Sequence, residues 1–166
     1  QNFQPHLPLH DQVIISSYPE KTILFSRTQN KFVSNGLWWD RYLELLQIRD
    51  REGLTICGPF TAIFHVPYTE RFSLTPGDLE LFFPICSGDS EHPNIRRMEE
   101  TLTASLVVQG DHRSLYTEYT KLMNIISKKS YYVSGPPMEE YLIELVQTRN
   151  PEEYITRIHL PIEKIE

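Results

Sequence analysis

The stretch Gly135-Pro136-Pro137-Met138-Glu139-Glu140-Tyr141, followed by Thr156-Arg157-Ile158-His159-Leu160-Pro161-Ile162, decides the reading because both of its ends have copies earlier in the chain. Gly58-Pro59 precedes Gly135-Pro136 by 77 positions, and Leu81-Phe82-Phe83-Pro84-Ile85 precedes Ile158 to Ile162 by the same 77. Without a gap, that step also lays Tyr42 on Tyr119, Leu45 on Leu122, Leu46 on Met123 and Ile48 on Ile125. Self-similarity at a fixed step is the signature of a duplicated unit. The chain is therefore read as two copies of one unit.

In the second copy Leu115, Tyr119, Leu122, Met123 and Ile126 repeat at the spacing of an amphipathic helix, with Asp111 or Ser114 as its cap. The first copy has Trp38, Tyr42, Leu45 and Leu46 in register, and Gly53 as a C-terminal stop. Each helix is expected to run about four turns. A β-rich run precedes each helix, Lys21 to Arg27 and Thr103 to Gln109. After each come Gly-Pro, a strand, a turn and a second strand ending in Pro-Ile. Thr75-Pro76-Gly77-Asp78 is a turn signal, and Asn150-Pro151 marks the equivalent place. The fold class is thus α+β: a tandem pseudo-two-fold repeat of β-α-β-β units, two helices on antiparallel sheets with a central ligand groove. One domain, 1–166, is expected, with repeats at 13–86 and 95–162 and a polar linker at 87–94.

The length of 166 residues suits one domain. With 22 acidic residues against 16 basic, the net charge of -6 has the wrong sign for a chain whose main partner is a phosphate backbone. The 40% hydrophobic and 11% aromatic content argues against disorder. The strongest apolar run, Leu81 to Cys86, is too short to span a bilayer. Two cysteines, Cys57 and Cys86, without a dense framework, read as a reduced cytosolic protein in which each is a small core hydrophobe. The chain opens on Gln1 without a basic and apolar leader pattern, and reads as a piece of a longer protein or a trimmed one.

The two late motifs, placed as they are on the repeat, resemble the GyrI-like domain. This is the small-molecule effector-binding domain at the C-terminus of many bacterial MerR-type and AraC-type transcription regulators. The family's motif runs Gly-Pro-Pro, Glu-x-Tyr, then Thr-Glu-Ile-Tyr-x-Pro, and the resemblance covers roughly 13–162. It implies a sensor of lipophilic, often cationic, compounds, whose pocket glutamate falls on Glu139 and whose tyrosine falls on Tyr141. Those two lie on one face of a strand. Where the family has Glu and Tyr, this chain has Arg157 and His159, so Arg157 is a candidate partner for Glu139 and an anionic or neutral ligand stays open. The 77-residue step sets Phe64 opposite Tyr141 and Phe82 opposite His159. Phe64, Tyr141, Phe82 and His159 are the candidate walls, with Trp38, Trp39 and Tyr68 further out, while Trp38, Phe83 and Tyr119 read as core. Glu144, on the other parity of the strand, reads as solvent-facing.

Other signals fail. His6 and His10 are separated by Pro8, and His65, His92 and His112 form no ligand cluster, so no metal and no cofactor is expected. Walker, dinucleotide, nucleophile-elbow and zincin motifs are missing from the sequence. The leading expectation is a cytoplasmic, monomeric, non-enzymatic ligand sensor that reaches DNA only through a helix-turn-helix outside these residues. The alternatives are a stand-alone hydrolase using Glu139 and Tyr141 on electrophiles, and a gyrase-inhibitor-like protein binder.

Overall fold

Ser34 starts helix α1 (Asn35–Glu52) by accepting the Leu37 N–H on its side chain, and Gly53 ends it in the left-handed conformation, φ 65°. Over these 18 residues, about five turns, Leu45 and Ile48 are buried. Helix α2 (Leu115–Lys128) is its copy and buries Leu115, Tyr119, Leu122 and Ile126. Asp111 does not cap α2. It caps the 3₁₀ turn His112–Ser114 just ahead, by accepting the Arg113 N–H, while Ser114 holds the α2 cap position without a side-chain cap bond.

The computed structural model describes residues 12–31, 34–72, 77–87, 91–144 and 146–166, and the chain divides into two units. The first comprises Tyr18–Thr101 with Pro136–Met138. It holds β2 (Lys21–Lys31), α1, β3 (Thr55–Ile56), β4 (Thr61–Phe64), β5 (Gly77–Ser87) and β6 (Ile95–Met98). Its strands lie in the order β4-β5-β2-β6, with β3 also on β5, all antiparallel. The second unit includes Leu102–Gly135 and Glu139–Glu166. It holds β1 (Ile14–Tyr18), β7 (Thr101–Gln109), α2, β8 (Tyr131–Val133), β9 (Met138–Ile143) and β10 (Ile155–Lys164). Here the order is β1-β7-β10-β9, with β8 on β10. Each unit is one helix with its own antiparallel strands, as the α+β reading required.

The repeat step holds closely: β4 begins at Thr61 and β9 at Met138, 77 positions on. Its Gly-Pro signature has a packing cause. A Cβ on Gly58 would stand 2.7 Å from Cγ of Pro84, and one on Gly135 would stand 3.0 Å from Cβ of Pro161. A side chain has no room at Gly58 and little at Gly135, where the chain passes against the proline of the last strand. The backbone repeats the contact, since Cys57 N–H donates to Pro84 O at 2.9 Å and Ser134 N–H to Pro161 O at 2.8 Å.

The repeats exchange one strand each. β1 leads directly into β2 yet lies beside β7, and β6 leads directly into β7 yet pairs with β2, Lys21 opposite Met98. The repeat boundaries at 13 and 95 therefore cut across the structural units. Asn150 accepts the Glu152 N–H and starts the 3₁₀ turn Pro151–Glu153. Thr75 and Pro76 of the other turn signal, and His6 and His10, lie outside the described residues.

In the first unit α1 packs an aromatic cluster: Phe60 lies 4.9 Å from Phe83, 5.0 Å from Tyr42 and 5.7 Å from Trp38, ring centre to ring centre. The other face of the same sheet buries Tyr18, Ile23, Ile63, Phe82 and Met138 together. Both faces of the sheet are thus apolar. Among the described residues no helix is long and apolar enough to cross a membrane.

Candidate functional site

Strand β9 reads Met-Glu-Glu-Tyr-Leu-Ile, and its pleat sends Glu139 and Tyr141 to one face and Glu140 to the other. Glu139 has no exposed surface. The Tyr119 hydroxyl, from α2, donates to its Oε2 at 2.6 Å, and the Tyr141 hydroxyl donates to its Oε1 at 2.8 Å. A buried carboxylate is costly unless its oxygens are hydrogen-bonded, and two short phenolic donors supply that. Around Tyr141 the aromatic surface continues. His112, carried by the 3₁₀ turn before α2, stacks obliquely 5.3 Å from Tyr141 and 5.1 Å from Tyr154. The Thr156 hydroxyl on β10 is buried without a hydrogen-bond partner.

On the opposite face, Glu140 takes Arg157 and His159, which the sequence reading sets beside Glu139 and in the candidate wall. His159 Nε2 bonds Glu140 Oε1, and Arg157 donates to the same oxygen at 3.4 Å. With the Glu140 carboxylate ionised, Nε2 is the donor, so in the neutral ring Nδ1 accepts from Thr103 Oγ1, 3.3 Å away. Arg157 therefore pairs with Glu140 rather than Glu139, and His159 is drawn away from the Tyr141 side. Both residues that depart from the motif thus bond the same carboxylate.

The remaining candidates belong to the first unit. Phe64 shares the α1-facing side of β4 with Ala62, and the Arg71 guanidinium lies 3.7 Å above its ring. Phe82 is fully buried in the apolar cluster on the other side of that sheet. Trp39 is 37% exposed and touches Tyr42 edge-on at 5.5 Å. Tyr68 is half-buried on the 3₁₀ turn Tyr68–Glu70. Of the sequence candidates, Glu139 and Tyr141 are brought together on one face of β9, and Arg157 and His159 meet on Glu140 on the other. Tyr119, His112, Tyr154 and Glu140 were missed as site residues. The repeat did place Tyr119 on Tyr42, but the helical stripe alone marks both as core.

Two further carboxylates stand out by burial. Glu80 on β5, 1% exposed, accepts from His65 Nε2 at 2.7 Å and from two nitrogens of Arg96 at 3.0 Å. Burial pushes its pKa up, but His65 and Arg96 outweigh that and hold it below the usual carboxylate range. Glu144, just past β9, is buried rather than solvent-facing, and burial pushes its pKa up to about 7.

No protein-family model matches the chain, and no curated protein matches it. Solved structures do share its fold. The C-terminal domain of EcmrR superposes with a TM-score of 0.73 at 19% identity, covering 93% of this chain and 98% of that domain. EcmrR in complex with DNA gives 0.78 at 18% identity, and there the chain spans only 58% of EcmrR. A hydrolase from Listeria innocua gives 0.69 at 11% identity, covering 94% of both chains. SAV2435 bound to tetraphenylphosphonium gives 0.58 at 14% identity, covering 92% of this chain and 94% of that one. The chain has the fold of these proteins, consistent with a GyrI-like domain.

Proposed function

We propose that this chain is the ligand-sensing effector-binding domain of a bacterial transcription regulator, and that Glu139 is the counter-charge for a lipophilic cation. The observation that carries the reading is the Glu139 carboxylate, wholly buried and gripped by Tyr119 and Tyr141. A delocalised organic cation loses little hydration on entering such a place. It gains the charge of the carboxylate and about 0.5 to 2 kcal/mol from each ring face it meets. The departures that opened an anionic reading lose their force, because Arg157 and His159 are engaged by Glu140 across the strand. SAV2435, with the same fold and tetraphenylphosphonium bound, supports this ligand class. EcmrR, solved on DNA and longer than this chain, supports a DNA reader in another segment. Ligand binding would then bias that segment through a coupling free energy.

Because Glu139 has no open surface, a ligand reaches it only when side chains packed around it move. Calorimetric titration of tetraphenylphosphonium into the wild type and Glu139→Gln tests the reading. The variant is expected to bind at least tenfold more weakly, a loss of about 1.4 kcal/mol. Equal affinity in the two proteins overturns the role of Glu139.

The Listeria hydrolase supports a second reading, a stand-alone enzyme with Glu139 as general base. A general base needs an oxygen ready to take a proton, and hydrogen bonds to the charged form make a carboxylate a weaker base. Both Glu139 oxygens accept phenolic O–H groups. The sensor is the better use of this arrangement.

A further inference from the structure

The two cysteines are exposed, not core. They sit where β3 meets β5, at an irregularity that the other repeat lacks. In the first unit Ile56 pairs with Ile85 but Thr55 pairs with Ser87, so one step along β3 matches two along β5, and Cys86 is the extra residue of a β-bulge. In the second unit the corresponding ladder is regular: Val133 pairs with Ile162, Tyr132 with Glu163, Tyr131 with Lys164. Glu163 is the repeat counterpart of Cys86, and Ser134 that of Cys57. The repeat that bulges is the one that carries the thiols.

The bulge takes Cys86 out of the ladder slot opposite Thr55, with its thiol 3.9 Å from Thr55 O. Cys57 comes directly after the short strand β3 and is pinned opposite Pro84 by its own N–H. The two side chains thus flank one point on the β3–β5 edge. Their proximity is felt electrostatically: after burial, contact with Cys86 is what raises the Cys57 thiol pKa above its usual value, with Lys21 pulling the other way. Among the described residues no cluster of three or more histidines, cysteines and carboxylates could hold a metal ion, so zinc, which wants four ligands, is a poor fit.

We propose that Cys57 and Cys86 form a redox-active dithiol that closes to an intramolecular disulfide by exchange with a low-molecular-weight disulfide. The Cys86 thiolate attacks one sulfur of the incoming disulfide, giving a mixed disulfide and releasing one thiol. The Cys57 thiolate then attacks Cys86 Sγ and releases the second. Two electrons pass from the cysteine pair to the reagent, which leaves as two thiols, and both cysteine protons are lost. The order follows from the bulge, which takes Cys86 out of the ladder, while Cys57 is held opposite Pro84 by its own N–H. The product staples β3 to β5 immediately before the Gly58–Pro84 contact that leads into β4.

The test treats the chain with excess oxidised glutathione at neutral pH, then reads free thiols, intact mass and peptide linkage. The wild type is expected to lose both thiols and two hydrogens, remain a monomer on a non-reducing gel, and give a peptide joining Cys57 to Cys86. Cys57→Ser is expected to stop at a glutathione adduct on Cys86. A lasting glutathione adduct on the wild type, a disulfide-linked dimer, or no reaction would overturn the proposal. Phenylarsine oxide, which needs two neighbouring thiols, gives an independent reading. It should be retained at one per chain by the wild type and washed from Cys57→Ser and Cys86→Ser, and equal retention by all three counts against the pair.

Discussion

Glu139 and Glu144 are buried five positions apart and are treated in opposite ways. Glu139 has two phenolic donors, whereas the Glu144 carboxyl has no hydrogen bond or ion pair with the described residues, and burial alone pushes it to about 7. A raised carboxylate pKa means that the folded chain holds the proton more tightly than the unfolded one. Its stability is therefore full below the unfolded value of 4.5 and declines as pH rises toward 7, by about 3 kcal/mol in all. Glu144→Gln is expected to abolish that decline and to be the more stable protein at pH 8, with the two nearly equal at pH 4. Urea midpoints at the two pH values check it, and an unchanged pH profile contradicts it. Sequence alternation could not find this residue. Strand parity puts Glu144 at the surface, but β9 ends at Ile143, where the Glu144 N–H turns to Gln147 Oε1 and its carbonyl accepts from Gln147 and Thr148. The cysteines were read as core from residue type alone, and both are exposed where β3 meets the bulge of β5.

At the scale of the elements, the Gly-Pro and Pro-Ile signatures carried structural information that survives in detail. The two glycines are not equally tight, because the Cβ of an alanine would meet Pro84 at 2.7 Å but Pro161 at 3.0 Å. Gly58→Ala is accordingly expected to cost about 3 kcal/mol and Gly135→Ala about 1 kcal/mol, within the range for overpacking a filled site. Thermal or urea unfolding of the two variants reads the difference, and equal costs would show that the proline contacts do not set it. The helices and principal strands were legible because spacing and turn residues report which face of an element is buried. The exchange of β1 and β6 between the repeats was not. Patterning fixes the face a strand buries, but the neighbour it pairs with is chosen through backbone groups that every residue shares. Ile14–Tyr18 and Ile95–Met98 lie at the starts of the two repeats, where the β-α-β-β reading held no strand.

For the whole molecule, duplication has been followed by divergence of the charge. Where the second repeat has Glu139 and Tyr141, the first has Ala62 and Phe64, so the carboxylate has no counterpart at that position of the first repeat. The resemblance named Glu139 and Tyr141 from sequence. It offered Glu139 as the partner of Arg157, whereas Arg157 and His159 both bond Glu140, the neighbour that the pleat sends to the other face. The central claim is that one buried carboxylate selects for positive charge. Tetraphenylphosphonium and tetraphenylborate have nearly the same size and shape and opposite charge, so the ratio of their affinities isolates that selection. The net charge of -6 also favours a cation, but at about 0.15 M salt its reach is screened beyond about 8 Å, and Glu139→Gln serves as the control for it. Calorimetric titration of both ions into both proteins is the most direct measurement. The account expects the cation to bind once per chain, at least tenfold more tightly than the anion, with that preference collapsing in Glu139→Gln. Tetraphenylborate binding as tightly as the cation, or a preference untouched by the substitution, would contradict it.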